Sequence, residues 1–380
     1  MAVAYAIELR SNSPELQSNS LKFASIREMS DHLAKAYPRL AVQLPKTQLA
    51  DLPTPVIEET LRTARGQRKI TIKHDDVTGK IYGGNKVRKL EYLLRRASDR
   101  NAERIATFGT VGSNHALATS LYAKSLGFEC TCLLLNQVRT ASVPRVLNAH
   151  IENGTELVFW GGDYANRIRT LRTHLWHRQA WVIPAGGSSW LGAIGFVNAG
   201  LELADQIASG ELRVPDRLYV ANGTMATAVG LALGLALADV PTEVQAVRVT
   251  EDFVANPDAM RRLTAKTAML MNRLDSSIPS DLADRARYRF RDGFLGDGYA
   301  RTNEATDRAV DVARDDLGLA LETTYTGKAM AALLHDLDQT AHARDSVLFW
   351  NTYNSRPLPA GSERPGDVSR LPDEFLRYFD

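Results

Sequence analysis

Short apolar runs alternate along the chain with longer segments whose apolar residues recur at helical spacing. Residues 86–97 illustrate the longer kind, because Leu90, Leu93, Leu94 and Ala97 fall on one face of a helix. The short runs predict strands at 70–74, 104–108, 130–135, 156–160, 181–183, 217–221, 244–249 and 347–350. The spaced segments predict helices at 86–97, 114–126, 144–152, 164–176, 305–315 and 327–337, with two more that end near residue 208 and begin after residue 224.

Strands that alternate with helices predict an α/β fold with open parallel sheets flanked by helices and joined by right-handed crossovers. Ligands in such folds bind where the loops leave the carboxyl ends of the strands. Glycine, hydroxyl and amide residues concentrate in five of these loops, at 83–86, 109–115, 186–189, 222–227 and 351–354. The sequence therefore predicts one site built from these loops.

Length, charge and cysteine content narrow the class of protein. The 380 residues are too many for one simple core and indicate two lobes. The net charge of +2 gives no general attraction to nucleic acid or to a membrane surface. We find neither a run of about twenty apolar residues nor a secretory signal pattern. Cys130 and Cys132, the only cysteines, favour a reducing, cytoplasmic location and are expected to pack in the core without binding a metal.

The loop at 83–86 reads Gly-Gly-Asn-Lys and precedes a predicted helix. Two glycines permit a tight turn. Lys86 then stands at the helix start, where the dipole and desolvation can lower the pKa of an amine, as a Schiff-base lysine requires. Taken alone, the loop is better explained as a plain turn followed by a surface lysine.

The loop at 222–227 reads Asn-Gly-Thr-Met-Ala-Thr between a strand and a helix of small residues. Backbone N–H groups and two hydroxyls at a helix N-terminus can bind phosphate. A capped helix packed closely on the sheet explains the same residues. The loop lacks a Walker lysine and a GxGxxG motif, which argues against ATP and dinucleotides.

The loop at 109–115 ends in Ser113, Asn114 and His115. Ser and Asn are common helix caps. Their hydroxyl and amide groups can also bind a carboxylate or a ring oxygen. His115 alone is more often structural than catalytic.

Together these loops resemble one enzyme family. Residues 83–92, Gly-Gly-Asn-Lys-Val-Arg-Lys-Leu-Glu-Tyr, closely resemble the lysine segment of the 1-aminocyclopropane-1-carboxylate deaminase / D-cysteine desulfhydrase family, whose cofactor is pyridoxal 5′-phosphate (PLP). Residues 73–76, 112–115 and 325–330 resemble further motifs of that family in the same order. The resemblance spans about residues 50–355 and implies the two-domain PLP-dependent fold type II, which is tryptophan-synthase-β-like.

The resemblance also implies a role for each matching residue. Lys86 forms the internal aldimine and moves the Cα proton, Asn114 bonds the 3′-oxygen of the ring, and Thr352 stands where relatives place a partner of the ring nitrogen. Catalytic roles are implied for Lys86, Ser113 and Tyr325. Substrate contacts are implied for Ser113, Asn114, His115 and Tyr325. Cofactor contacts are implied for Lys86, Asn114, Gly223, Thr224, Met225, Ala226, Thr227 and Thr352.

Three positions depart from the family pattern. The phosphate loop is poorer in glycine than in most relatives. Residues 351–354 read Asn-Thr-Tyr-Asn where desulfhydrase-like relatives show His-Thr-Gly-Gly. Thr326 stands where cyclopropane deaminases carry Glu, an acid that would keep the ring nitrogen protonated and the ring a strong electron sink. The threonine therefore disfavours ring opening.

These observations favour a PLP-dependent lyase that acts by β-elimination on a small β-substituted amino acid, in the manner of a D-cysteine desulfhydrase, and releases a keto acid and ammonia. Racemisation, β-replacement and ring opening are the alternatives with the same cofactor. A catalytically silent PLP-binding protein and a nucleotide-binding α/β protein without PLP are the alternatives from other classes.

The same interpretation predicts the domain organisation. A small domain of residues 90–195 interrupts a large PLP-binding domain of residues 46–89 and 196–380, with PLP between the two. Residues 1–45 form an N-terminal extension that either covers a dimer surface or is flexible. Family resemblance implies a homodimer.

Overall fold

The computed structural model describes residues 31–342, 344–362 and 366–379. Residues 1–30 of the predicted N-terminal extension lie outside the described residues. The strands are β1 (Val56–Thr63), β2 (Gly66–His74), β3 (Arg104–Thr110), β4 (Glu129–Leu135), β5 (Glu156–Phe159), β6 (Trp181–Ile183), β7 (Arg217–Asn222), β8 (Glu243–Arg248), β9 (Tyr288–Arg291) and β10 (Val347–Asn351).

Most of the α-helices of the described residues lie between these strands in the sequence. They are α1 (His32–Ala36), α2 (Pro38–Gln43), α3 (Lys86–Ser98), α4 (Asn114–Ser125), α5 (Ser142–Asn153), α6 (Tyr164–Leu171), α7 (Trp190–Ala208), α8 (Ala226–Leu237), α9 (Pro257–Leu274), α10 (Leu282–Arg285), α11 (Glu304–Leu317), α12 (Thr326–Leu337) and α13 (Asp373–Leu376). In the part of the chain that the structure describes, we find no helix long and apolar enough to cross a membrane.

Two sheets carry the fold. Six strands form one in the order β1-β2-β10-β7-β8-β9, and four form the other in the order β5-β4-β3-β6. Every neighbouring pair is parallel except β1 and β2. The predicted α/β architecture is thus confirmed. The four-stranded sheet falls inside residues 90–195, while the exact domain boundaries stay a prediction.

The antiparallel β1–β2 pair is the part of the larger sheet that the sequence pattern did not reveal. The two strands form a hairpin in which Thr63 lies opposite Gly66. β1 is an edge strand, and all its residues except Leu61 are exposed or half-buried. An exposed edge needs no continuous apolar run, so this strand has a weak pattern.

The described part of the N-terminal extension packs against the larger sheet's helices. Leu33 and Leu40 are fully buried in the core beside α7 and α8. The Leu33 N–H donates to Asn198 Oδ1 at 2.7 Å, and the Leu40 N–H donates to Asp275 Oδ2 at 3.1 Å. Residues 31–44 are therefore an integral layer of the fold.

A buried network of charges fixes α3 against β2 and α7. Arg88 donates to Asp75 Oδ1 at 2.7 Å and to Glu202 Oε2 at 2.9 Å. Lys73 donates to Glu202 Oε1 at 2.6 Å. All four side chains are at most 1% exposed. Two cations balance two carboxylates, so α3 is held in one position relative to the sheet.

Cys130 and Cys132 lie on β4 with their thiols free and their side chains in the hydrophobic core, as the sequence predicts. No group of three or more potential metal ligands is found among the described residues.

Candidate active site

One cavity of about 340 Å³ lies at the carboxyl ends of strands from both sheets. Each of the five loops singled out in the sequence contributes to its wall. The parallel strands account for this convergence, because their carboxyl ends lie at the same edge of each sheet. The residues that line the cavity include Tyr82, Asn85, Lys86, Lys89, Thr110, Ser113, Asn114, His115, Gly223, Thr224, Met225, Thr227, Glu251, Tyr299, Glu322, Tyr325, Thr352, Tyr353 and Asn354.

Gly83 and Gly84 shape the turn that presents Lys86. A Cβ atom at Gly83 would lie 1.8 Å from the Asp76 carbonyl oxygen, and one at Gly84 would lie 2.7 Å from that of Thr352. Gly84 also has a φ of +84°, which favours glycine. The turn therefore needs both glycines, and it places Lys86 as the first residue of α3.

The Lys86 amine is prepared to act as a nucleophile. Its Nζ donates to Asn85 Oδ1 at 2.9 Å. Burial lowers the pKa of Lys86 to about 8, and the Glu322 carboxylate opposes that shift. About a tenth of the amine is then unprotonated at pH 7. This fraction is far larger than an ordinary lysine offers, and an unprotonated amine is the form that attacks a carbonyl.

Lys89 is a second lysine on the cavity wall. It is 2% exposed, and its Nζ donates to the Gly186 carbonyl oxygen at 3.2 Å. No carboxylate of the described residues lies within ion-pair distance of this Nζ. Burial and the neighbouring Lys86 hold the pKa of Lys89 well below its usual range. A buried amine without an acidic partner suits an anionic ligand. The sequence analysis missed Lys89, although its i+3 spacing from Lys86 places both on one helix face.

The loop at 222–227 joins β7 to α8, as the sequence predicts. Gly223, Thr224, Met225 and Thr227 line the cavity, and Thr227 Oγ1 accepts a hydrogen bond from Asn85 Nδ2 at 3.0 Å. Ala226 does not reach the cavity wall.

The resemblance implies that Ala226 contacts the cofactor, but this residue does not line the cavity. Its N–H is used within the protein, by the Thr224 carbonyl oxygen at 3.0 Å and by Ser188 Oγ at 3.2 Å. The sequence could not reveal this, because Ser188 belongs to a different loop.

Ser113 and Asn114 lie on the cavity wall at the start of α4. Ser113 Oγ caps the helix by accepting from the Ala116 N–H at 3.2 Å, which leaves its O–H to donate. Asn114 Oδ1 accepts from the Tyr82 hydroxyl at 3.1 Å. The Asn114 amide therefore keeps its N–H groups for an acceptor such as a carboxylate or ring oxygen.

His115 lines the same cavity, but its ring nitrogens contact the protein interior. Nε2 lies 2.9 Å from Thr107 Oγ1, and Nδ1 lies 3.5 Å from Thr119 Oγ1. Burial and the nearby Lys86 and Lys89 hold the pKa of His115 well below its usual range, so the ring is neutral. This geometry leaves neither nitrogen for the substrate contact that the resemblance implied.

Tyr325 forms a chain of hydroxyls with two residues that the sequence analysis missed. Its hydroxyl contacts that of Tyr299, which in turn lies 3.4 Å from Thr110 Oγ1. Burial raises the pKa of both tyrosines, so they remain protonated at neutral pH. Lys328 holds the Tyr299 loop by donating to the Gly298 carbonyl oxygen at 3.0 Å.

The unusual loop at 351–354 docks directly on the Lys86 loop. Asn354 Oδ1 accepts from the N–H of Gly83 at 2.5 Å and from that of Arg356 at 3.1 Å. The Thr352 carbonyl oxygen accepts from the Asn85 N–H at 3.2 Å. Burial raises the pKa of Tyr353, which lines the cavity, to about 12. Asn354, which departs from the family pattern, thus holds the turn before Lys86 through its side chain.

Replacing Asn354 with alanine is expected to weaken PLP binding about tenfold, because the buried Gly83 N–H loses its acceptor at a cost of about 1–1.5 kcal/mol. Titration of the apoprotein with PLP, followed by visible absorbance, measures this change. Asn354→Asp is the matched control, since it keeps an acceptor oxygen and should stay within about threefold of the wild type. Equal affinities for the alanine variant and the wild type would contradict the assignment.

The acids on the cavity wall are Glu251 and Glu322, and neither stands at position 326. Thr326 is 1% exposed and does not line the cavity, whereas Glu322, four residues earlier in the chain, does. Because Thr326 does not line the cavity, the expectation that this threonine disfavours ring opening loses support.

Comparisons with known proteins agree with this site. The family model described as pyridoxal-phosphate dependent enzyme matches residues 47–352. A D-cysteine desulfhydrase of Salmonella choleraesuis (strain SC-B67) is 32% identical over 82% of this chain and 94% of its own length.

Solved structures share the fold. The crystal structure of an ACC deaminase homologue has a TM-score of 0.67 and 24% identity, covering 92% of this chain and 99% of its own. A fungal L-serine ammonia-lyase from Rhizomucor miehei has a TM-score of 0.52 and 16% identity, covering 88% of this chain and 100% of its own. The chain therefore belongs to the PLP-dependent enzymes of the 1-aminocyclopropane-1-carboxylate deaminase / D-cysteine desulfhydrase family, with the type II fold, and PLP is its cofactor.

Proposed function

We propose that the protein is a lyase that holds PLP on Lys86 and eliminates the β-substituent of a small amino acid, giving a keto acid and ammonia. The observation that carries this proposal is the Lys86 amine with its lowered pKa, in one cavity with a second, buried amine, Lys89, that lacks an acidic partner. The 32% identity to D-cysteine desulfhydrases supports a thiol-bearing or similarly β-substituted amino acid as the substrate, with the D configuration favoured.

The residues of the cavity fit PLP. Lys86 supplies the amine for covalent attachment. Lys89, with the hydroxyls of Thr224 and Thr227, supplies a cation and donors for the phosphate. The Asn114 amide can donate to the oxygen on the ring. When bound, PLP acts as an electron sink that stabilises negative charge at the substrate Cα.

The protein's own groups then move protons and hold the substrate. Ser113 Oγ and the Asn114 amide bind the substrate carboxylate. Lys86 takes the proton from Cα as that C–H bond breaks. The β-substituent leaves Cβ with the bonding electron pair, and the Tyr325–Tyr299 hydroxyls supply its proton. Water then hydrolyses the remainder of the substrate to a keto acid and ammonia. Cysteine plus water would thus give pyruvate, hydrogen sulfide and ammonia.

Ring-opening deamination is the second candidate, because Glu322 places an acid on the cavity wall despite the threonine at 326. The fold itself does not choose between these reactions, since enzymes of different activity share it.

The test is turnover of a panel containing D-cysteine, L-cysteine, β-chloro-D-alanine and 1-aminocyclopropane-1-carboxylate, with keto acid and ammonia both quantified. We expect kcat/KM for a D-amino acid with a β-leaving group to exceed that for the cyclopropane substrate at least about tenfold, or about 1.4 kcal/mol in transition-state stabilisation. A faster reaction with the cyclopropane would select the second candidate. If PLP is bound to the lysine but none of these compounds is turned over, both candidate reactions are overturned.

A further inference from the structure

Glu322 is a half-buried residue of the cavity wall, and hydrogen bonds orient its carboxylate. Oε1 accepts from the N–H groups of Tyr325 at 2.9 Å and Thr326 at 2.8 Å. Oε2 accepts from the Thr324 N–H at 2.6 Å. Thr326 Oγ1 adds a fourth donor at 3.1 Å from Oε1. The carboxylate is thus folded back onto the start of α12 and is held there by these hydrogen bonds.

The hydrogen-bond pattern indicates that Glu322 is ionised. Burial raises its pKa, and the surrounding N–H donors oppose that shift. Three backbone N–H groups donate to its two oxygens, and a backbone N–H can only donate. Thr326 Oγ1 accepts from the Glu322 N–H at 3.2 Å and donates to Oε1 at 3.1 Å. These donors favour the ionised form of the carboxyl group.

The Glu322 charge raises the pKa of six groups among the described residues. They are Lys86, Lys328 and the four tyrosines Tyr82, Tyr299, Tyr325 and Tyr353. The tyrosines are neutral at physiological pH. Glu322 also raises the pKa of Lys328, but Lys328 does not line the cavity, and its Nζ donates to the carbonyl oxygens of Leu295 and Gly298. Lys86 is therefore the lysine on the cavity wall whose positive charge the Glu322 carboxylate stabilises.

We propose that Glu322 is the fixed counter-charge of Lys86, stabilising positive charge on the Lys86 nitrogen in the free amine and after attachment of PLP. The inference rests on the proposed function, because it assigns Lys86 as the site of attachment. It makes Glu322 a positioning residue of the reaction that sets the pH range over which Lys86 gains and loses its proton.

Lys86 and Lys89 provide an internal comparison. Both line the cavity on one face of α3, and burial lowers the pKa of both amines. Glu322 opposes this effect at Lys86, whose pKa is about 8. Lys89 has no opposing carboxylate, and its pKa falls well below the usual range. The contrast is what a counter-charge that acts on Lys86 and not on Lys89 would produce.

Glu322→Gln tests the proposal, with Glu251→Gln as the matched control. Glu251 is another carboxylate on the cavity wall, and its Oε1 accepts from the Tyr299 N–H at 2.9 Å. In the apoprotein, the pH dependence of covalent labelling of the Lys86 amine is measured by peptide mass spectrometry. We expect the half-maximal pH to fall by about one pH unit in Glu322→Gln and to remain near 8 in Glu251→Gln. The pH titration of visible absorbance in the PLP-loaded protein should move in the same direction.

Glu322→Asp keeps the negative charge but places it on a shorter side chain, so we expect a smaller fall in the half-maximal pH of labelling. This variant replaces Glu322→Gln if the glutamine variant does not fold. Half-maximal labelling that stays at the wild-type pH in both Glu322 variants overturns the inference, even when PLP is attached to Lys86. Failure of PLP to attach to wild-type Lys86 overturns the proposed function instead. The labelling result in the apoprotein still decides the role of Glu322.

Discussion

Replacing Lys86 with alanine is expected to abolish covalent attachment of PLP and to lower kcat/KM by at least about 10³-fold. The variant loses the amine that binds the cofactor and the base that takes the Cα proton, and each function contributes strongly to catalysis. Borohydride reduction followed by peptide mapping locates the attachment, and keto acid release measures the turnover.

Two other lysines serve as controls for this experiment. Lys80 is exposed and does not line the cavity, so Lys80→Ala should attach PLP as the wild type does. Lys89→Met removes the proposed phosphate partner and should bind PLP more weakly while the adduct remains on Lys86. An adduct mapped to Lys89, or one that survives Lys86→Ala as a lysine adduct, would refute the assignment.

The parts of the site that could be predicted from sequence are those set by local geometry and strand order. Gly83 and Gly84 before a helix indicate a tight turn, and the turn determines where Lys86 lies. Parallel strands bring their carboxyl ends together, which explains why loops as distant in sequence as 83–86 and 351–354 meet in one cavity. Neither inference requires knowledge of side-chain contacts.

The residues that the sequence analysis missed depend on tertiary contacts. Tyr299 lies in the irregular segment between β9 and α11, where no periodic pattern marks it, and its position is fixed by Lys328 and Glu251. The Glu322 carboxylate reaches the cavity because it folds back onto the N-terminus of α12. The expectation for Thr326 was misplaced for the same reason, since the hydroxyl points to Glu322 within the protein.

Glu202 belongs to the network of buried charges beneath α3. Glu202→Gln is expected to lower the free energy of unfolding by about 3–5 kcal/mol. Glu202 accepts from Lys73 and Arg88 and is fully buried. The variant leaves two buried cations with only the Asp75 carboxylate to balance them. Urea unfolding followed by circular dichroism, without added PLP, measures the loss. Glu58→Gln is the control, because the Lys69–Glu58 pair is exposed and should contribute less than about 1 kcal/mol.

The pH dependence of this difference follows from the pKa of Glu202. Burial alone would raise it, but Arg88 and Lys73 lower it below its ordinary value. A carboxylate whose pKa is lower in the folded state stabilises the fold above its unfolded-state pKa of about 4.3, and this contribution declines as the pH falls below that value. The difference between wild type and Glu202→Gln should therefore be largest at neutral pH and shrink progressively below about pH 4.3. A constant difference across that range, or a loss no greater than that of Glu58→Gln, would show that the Glu202 charge does not stabilise the position of α3, and with it that of Lys86.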